Sequence, residues 1–310
     1  MTSEYTVRAP TMADLDAVVS VVNAYEMANE GRTTMTAAEM RAGWTSPKFN
    51  LAEDAWLAVS PAGELAGYAE CRELETAFIE SDGYVHPDHE GRGVGTELVR
   101  RIEWRAHERA LLAGHSDVKL SAGLDANNAR AVDLFEARGF TPARYFIRER
   151  LDLAAPPPTP VWPAGVSLRV AVGPEDIDRV FDPVIEIFKD HWGHRRQVLS
   201  EWRHSWIEGG YFDPSMWFIA EADGEVVGIS LCREFGGIGE VTTLGVTRPW
   251  RKQGLAMALL HHSFADFRRR GYGHAELSVD SENLTGATRL YERAGMTEVL
   301  RFVVMGKPIL

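Results

Sequence analysis

The chain has 310 residues, of which 45% are hydrophobic, 25% charged and 10% aromatic, and 45 acidic side chains against 33 basic ones give a formal net charge of -12. At about 150 residues per domain this length predicts two domains, each able to bury its own core. The composition excludes a collagen, a disordered tail and a small disulfide scaffold, and the charge argues against sequence-independent binding to nucleic acid or an anionic membrane. An acidic chain can still hold a phosphate locally through backbone amides and a few bases. With only Cys71 and Cys232 present, neither a disulfide framework nor a four-cysteine zinc site is possible. The first residues lack a basic region followed by an apolar core, and no run approaches a membrane span. A cytoplasmic protein is expected.

In chain order, the first segment reads as a strand around Val7-Arg8, two helices, and a hairpin centred on Pro61-Ala62-Gly63. A further strand leads into a glycine-rich turn, Glu90 to Thr96, and a long amphipathic helix over about 94–113. A strand from Val118 to Ala122, a short helix ending at Gly139 and a terminal strand follow. Pro156, Pro157, Pro158, Pro160 and Pro163 then exclude helix and central strand and predict a semi-rigid extended linker. Beyond it the same order recurs, with a hairpin at Ala222-Asp223-Gly224, a turn from Arg251 to Ala256, a long helix over about 254–270 and a strand from Ala275 to Val279. A short helix ending at Gly295 and a last strand close the chain.

The recurrence extends to single residues. Trp56, Gly63, Glu64, Gly67 and Cys71 match Trp217, Gly224, Glu225, Gly228 and Cys232 at a constant offset of 161. Asn127, Ala131 and Gly139 match Asn283, Ala287 and Gly295 at 156, so the first half carries five extra loop residues. The chain therefore reads as a tandem duplication: a first domain over 1–153, the linker over 154–165 and a second domain over 166–310. The matched strand positions of the two cysteines suit buried packing residues better than reactive thiols.

Both glycine turns lie between a strand and a helix, where unpaired amides at the helix start cradle a pyrophosphate. Their spacing fits neither Gly-x-Gly-x-x-Gly nor a turn ending in Gly-Lys-Ser/Thr, which excludes Rossmann and P-loop readings. Arg251-x-x-Gly254-x-Ala256 instead resembles the acyl-CoA pyrophosphate motif of the GNAT N-acetyltransferase superfamily, Arg/Gln-x-x-Gly-x-Gly/Ala. Downstream, Asn283, Ala287, Tyr291 and Gly295 follow one another at four-residue steps, which also resembles the superfamily's pattern and would set the first three on one helix face. The resemblance covers nearly all of both halves. It implies an α/β fold of two tandem GNAT-type acyl-CoA N-acyltransferase domains, each a mixed, splayed central sheet flanked by helices. Acetyl-CoA is then expected between the fourth and fifth strands of such a sheet.

The implied chemistry is attack of a neutral amine on a thioester, which needs a base for the ammonium, a donor for the oxyanion and an acid for the departing sulfur. Tyr291 occupies the position of the superfamily's general acid; its bland reading is a core aromatic. In the first half the same slot is Phe135, which has no hydroxyl, and Glu90 stands where the motif expects Arg or Gln. Those departures predict that the first half has lost or weakened catalysis. Its cradle, Arg92, Gly93, Val94, Gly95 and Thr96, leaves acyl-CoA binding there open. The strand Gly239-Glu240-Val-Thr-Thr-Leu-Gly245-Val246 resembles the corresponding strand of the mycothiol synthases, tandem GNAT enzymes whose C-terminal half is active. By that resemblance Glu240 is the general base and the Val246 amide the oxyanion donor, with a solvated strand-end glutamate as the alternative. Ile79 aligns with Glu240 in the first half, with Glu80 and Asp82 nearby. Arg251, Lys252, Gln253, Gly254, Leu255 and Ala256 are expected to hold the pyrophosphate, and Asn283 to contact the pantetheine or position its helix.

On the acceptor side, His191, His194, Glu201 and His204 do not show an established metal-helix spacing, so no metal is expected there. An aromatic and imidazole wall, or plain packing, accounts for them better. His261 and His262 read as surface or partly packed residues. Arg268, Arg269 and Arg270 read as a cationic helix end that complements the dipole, with contact to an adenosine 3′-phosphate as a lesser option. The resulting expectation is an N-acetyltransferase moving acetyl from acetyl-CoA to a primary amine of a small molecule, by direct attack in a ternary complex in the C-terminal half. No nucleic-acid or membrane partner is expected, and the tandem could serve as its own pseudo-dimer. Mycothiol synthase activity proper is the alternative within the class, and a non-catalytic acyl-CoA-binding protein the alternative outside it.

Overall fold

The computed structural model describes residues 4–75, 78–114, 118–192, 198–283 and 286–309. The chain forms two compact units, Met1–Tyr145 together with Phe302–Leu310, and Phe146–Arg301.

The first repeat runs β1 (Thr6–Arg8), α1 (Leu15–Glu30), α2 (Ala37–Trp44), α3 (Leu51–Asp54), β2 (Ala55–Val59), β3 (Leu65–Glu75), β4 (Phe78–Val85), α4 (Val94–Ala113), β5 (Lys119–Asp125), α5 (Ala129–Ala137) and β6 (Thr141–Asp152). The second runs β7 (Ser167–Val170), α6 (Glu175–Phe188), α7 (Leu199–Glu208), β8 (Trp217–Ala222), β9 (Glu225–Phe235), β10 (Ile238–Val246), α8 (Leu255–Arg270), β11 (His274–Asp280), α9 (Ala287–Arg293) and β12 (Thr297–Pro308). The order expected from the sequence is present twice, with α3 as a short addition to the first repeat. Local signals account for the element starts. Thr36 and Glu39 form a capping box on α2, and Arg8 and Arg169 each clamp a carboxylate at 2.6 Å, Asp14 just before α1 and Asp176 in the first turn of α6.

Each unit holds a mixed sheet. In the first the order is β1-β2-β3-β4-β5 followed by the Phe302–Pro308 part of β12; in the second it is β7-β8-β9-β10-β11 followed by the Phe146–Asp152 part of β6. All neighbours are antiparallel except β4 with β5 and β10 with β11, which run parallel. The last strand of each sheet therefore comes from the other repeat. The sequence boundaries at 153 and 166 assigned each terminal strand to its own repeat; the compact units part instead at Tyr145 and at Arg301, because β6 ladders onto β11 and β12 onto β5. Strand pairing between repeats leaves no mark in the local hydrophobic pattern, which is the same for either partner.

Helices cover both faces of each sheet. In the second unit Leu255, Leu259, Phe264 and Phe267 of α8 and Tyr291 of α9 pack on one face with Cys232 and Val241. On the other face Ile177, Val180 and Ile187 of α6 and Trp202 and Trp206 of α7 pack with Trp217, Ile229 and Leu231. The first unit repeats this with α4 and α5 on one side and α1 and α2 on the other. The matched glycines Gly67 and Gly228 have a packing cause: a Cβ there would come within 2.9 Å of Val94 and 3.1 Å of Leu259. Their absence of a side chain lets α4 and α8 sit tightly on the strands and aims each helix N-terminus at the glycine turn. Cys71 and Cys232 are fully buried, and burial pushes both thiols up to about 12, so neither is a ready nucleophile.

Candidate active site

In the second unit β10 and β11 are paired only at Gly239 with Ala275 and Glu240 with Glu276. Beyond Glu240 the two parallel strands separate, and a wedge opens between them. A bulge in β10 between Val241 and Thr243 bends the strand at that point, with the Thr242 hydroxyl donating to the Leu231 carbonyl at 2.8 Å. The Thr247 amide donates to the Val227 carbonyl at 3.0 Å, which makes Thr247 and Val227 a hydrogen-bonded pair of the antiparallel ladder. Hydrogen-bonded and open pairs alternate in such a ladder, so Val246 opposite Gly228 is an open pair. Its amide points away from β9 into the wedge.

The turn after β10 leads into α8. Its first main-chain bond runs from the Ala258 amide to the Gly254 carbonyl, 3.0 Å, which leaves the amides of Leu255, Ala256 and Met257 unspent at the helix start. Gly254 has φ 87°, a left-handed conformation that L side chains rarely adopt, and the space about its missing Cβ is open. Two of the neighbouring side chains bond to backbone carbonyls. Arg251 donates to the carbonyl of Val246 at 3.2 Å and Gln253 to that of Pro249 at 2.9 Å, which leaves the unspent amides of the helix start as main-chain donors of the cradle. The first unit has the same loop geometry, with Gly93 at φ 85° and the Glu97 amide on the Gly93 carbonyl at 3.1 Å. There Glu90 is paired with Arg130 at 3.0 Å, which offsets its charge beside the loop.

Glu240 and Tyr291 lie on opposite faces of the sheet. A Cβ on Gly239 would strike Phe267 of α8, so by alternation Glu240 faces α6 and α7. One of its oxygens accepts from Arg233 Nε at 2.6 Å, and the Arg233 guanidinium lies over the rings of Tyr211 at 4.4 Å and Phe235 at 4.2 Å. That arginine and its two rings were not anticipated from the sequence, although the hairpin joining β9 to β10 sets Arg233 opposite Glu240. Tyr291 lies on α9, on the α8 side, and is 8% exposed. Its hydroxyl makes no hydrogen bond among the described residues, and burial, then the charge of Glu149, raises its pKa well above the ordinary phenol value. The phenol therefore stays protonated at every working pH. Phe135, its counterpart, stacks edge-on against Phe140 at 4.9 Å as a plain core ring.

Two sequence expectations need correction. Asn283 does not share a helix face with Ala287 and Tyr291: it stands in the turn where its amide meets the Asp280 carbonyl, and Gly286 at φ 77° starts α9 only afterwards. The counterpart of Glu240 is Glu80 and not Ile79, because Arg72 opposes Glu80 as Arg233 opposes Glu240. The β10 bulge inserts one residue that β4 lacks, which shifts a count made from the glycine turn. In the acceptor region His191 stacks on Phe188 at 4.4 Å, and His194 lies outside the described residues. No group of three or more His, Cys, Asp or Glu side chains arranged to hold a metal ion is found among the described residues. Arg268 donates to the Leu153 carbonyl at 3.2 Å and Arg270 to Asp266 at 2.5 Å, so these helix-end cations are engaged within the unit.

The sequence model of the Acetyltransferase (GNAT) family matches residues 20–140 and again 181–296. The chain belongs to the GNAT acetyltransferase family. Its relatives include a mycothiol acetyltransferase of Frankia casuarinae, 34% identical over 258 residues that cover 78% of this chain and 72% of that protein. Another of that name, from Thermobispora bispora, is 31% identical and aligned over 93% of this chain and 94% of its own length. Among solved structures, a GCN5-related N-acetyltransferase from Sphaerobacter thermophilus superposes with a TM-score of 0.80 at 34% identity, covering 100% of this chain and 97% of that one. This GNAT chain is thus a tandem N-acetyltransferase whose acyl donor is acetyl-CoA and whose acceptor is an amine. The wedge and the cradle of unspent amides fit that donor: the turn offers donors to a pyrophosphate, and the parted strands offer free main-chain groups to an extended thioester arm.

Proposed function

We propose that the second unit carries the reaction and that the first has kept the cradle and lost the chemistry. The observation that supports this most is the pairing of a buried, unspent hydroxyl at Tyr291 with a plain ring at Phe135 in the matched position. In this reading Arg251 to Ala256 bind the pyrophosphate, chiefly through backbone amides, and Asn283 borders the pantetheine arm. Glu240, with one oxygen on Arg233 and the other without a hydrogen bond among the described residues, takes the proton from the acceptor ammonium directly or through water. The neutral amine attacks the thioester carbonyl, the Val246 amide meets the oxyanion, and Tyr291 protonates the departing thiolate. The acceptor enters from the α6–α7 face, where Tyr211, Phe235 and Arg233 stand beside Glu240.

The acceptor is a small molecule bearing a primary amine. The name shared by the relatives supports a narrower second reading, the amine of a glycosidic thiol precursor of mycothiol. The buried, unlinked Cys71 and Cys232 suit a reducing, cytoplasmic setting. A panel of amines that includes an amino sugar thiol, read by loss of thioester absorbance from acetyl-CoA, tests the acceptor class. Turnover of at least one amine is expected. Calorimetric binding of acetyl-CoA with no turnover on the whole panel would instead support a non-catalytic binding protein.

A further inference from the structure

A row of four charged side chains crosses the second sheet where the wedge begins. Glu240 of β10 lies beside Glu276 of β11 in the last paired position of the two parallel strands. Ala275 and Leu277 pack in the core under α8, so by alternation Glu276 faces α6 and α7 as Glu240 does. Each carboxylate is held from its outer side. Arg233 of β9, opposite Glu240, bonds it through Nε at 2.6 Å. Arg150 of β6, opposite Glu276, bonds its Oε1 through Nε at 2.6 Å. The order across the sheet is therefore Arg233, Glu240, Glu276, Arg150, with the cations outside and two like charges side by side at the centre. Like charges in neighbouring register positions disfavour the fold, so their retention calls for a cause. Glu276 is 2% exposed, and its charge acts at the narrow end of the wedge with little screening by water. In the first unit the same row reads Arg72, Glu80, Ser121 and Gly306. An ion pair needed only to tie the last strand to the sheet would be needed at both seams. The seam of β5 with β12 holds with a serine and a glycine.

We propose that Glu276 is a specificity residue of the acceptor site: with Glu240 it gives the wedge a two-carboxylate end that selects a cationic primary amine and seats its ammonium. This rests on the reading that the second unit carries the reaction. A primary amine arrives as an ammonium, with three N–H donors and one positive charge. Two carboxylates in adjacent positions match that charge better than one, and an uncharged alcohol of the same shape gains nothing from the second. Arg150 approaches Glu276 from β6, the side away from Glu240, so the anchor does not stand between the two glutamates. The roles then divide. One N–H bond of the ammonium breaks as the Glu240 O–H bond forms, and Glu276 exchanges no proton. Once the amine is neutral the charge of Glu276 contributes little to its attack on the thioester. Its effect therefore falls on acceptor binding and leaves the chemical step to Glu240 and Tyr291.

The test is the steady-state kinetics of the full chain with the primary amine of the panel that turns over fastest. Glu276→Gln combined with Arg150→Met removes both charges at nearly constant volume, so no buried charge is left unpaired. The KM for the amine should rise by about tenfold, while kcat and the calorimetric Kd for acetyl-CoA stay within about twofold of wild type. Glu276→Asp, which keeps the charge and draws it back, should raise that KM by about threefold. A pair that only ties β6 to β11 would instead lower kcat, acetyl-CoA affinity and the melting temperature with the KM kept, and that result overturns the proposal. Glu240→Gln run in parallel separates the two claims. A lost kcat in Glu240→Gln beside an unchanged KM in the double variant overturns the role of Glu276 and leaves the base standing. Unimpaired turnover in Glu240→Gln beside a raised KM in the double variant removes the base and supports the ammonium seat. Should the double variant fail to fold, Glu276→Asp decides by itself, and an unchanged KM there overturns the assignment.

Discussion

Glu240 and Arg233 make a pair whose chemistry can be separated by substitution. The Arg233 Nε bond at 2.6 Å fixes where the carboxylate stands. Arg233→Met is therefore expected to lower kcat/KM by about tenfold by leaving the carboxylate unanchored, while Glu240→Gln removes the acidic limb of the kcat/KM profile. An unaltered acidic limb in Glu240→Gln would exclude it as the base. Legibility at this scale was uneven. Tyr291 and the turn from Arg251 to Ala256 carry their signal in local spacing. Arg233 does not, since it acquires its role from a strand partner that a linear reading does not supply.

The bulge in β10 is the element that distinguishes its wedge from the matched strands of the first unit. Without it β4 follows β3 in unbroken register from Gly67–Val85 to Glu73–Ile79, whereas β10 bends at Thr242 and leaves β11 after two paired positions. Deleting Thr242 should give β10 the register of β4, with Glu240 still opposite Arg233. Acetyl-CoA affinity should then fall by about tenfold in calorimetry, because the main-chain donors along the wedge are re-aimed. The glycine turns allow a paired comparison. Gly254→Ala and Gly93→Ala each force a side chain into the left-handed region at a cost of about 1–2 kcal/mol, with no steric clash in either case. Both should lower the melting temperature, and only Gly254→Ala should raise the Kd for acetyl-CoA measured through turnover. The repeated order of elements, the hairpins and the long helices were readable because each depends on local pattern. The exchanged last strands and the bulge were not, since both depend on pairing across long sequence separations.

At the scale of the whole chain, two carboxyls, the half-buried Asp82 and the buried Glu149, contribute to how stability varies with pH. Burial, then the charge of Glu70, raises Asp82 to about 7 in the first unit, and Glu149 is raised to about 7 in the second. Both folded pKa values lie above those of the unfolded chain, so the folded state keeps two protons that the unfolded state releases above the ordinary carboxylate range. Stability from these groups is full below that range and is lost as pH rises towards 7. Asp176 and Asp14 are shifted the other way, so their contribution is lost only in more acidic solution. The melting temperature should therefore fall between pH 5 and pH 8. Asp82→Asn with Glu149→Gln should flatten that slope in thermal scans, and an unchanged slope would assign it to other groups. The division of labour between the repeats is tested most directly by the rate of acetyl-CoA consumption in the full chain carrying Tyr291→Phe, beside the matched Phe135→Leu. The expected result is a loss of about tenfold or more for Tyr291→Phe with acetyl-CoA affinity kept, and a rate within about twofold of wild type for Phe135→Leu. Equal losses in both, or a loss confined to Phe135→Leu, would contradict the placing of catalysis in the second unit.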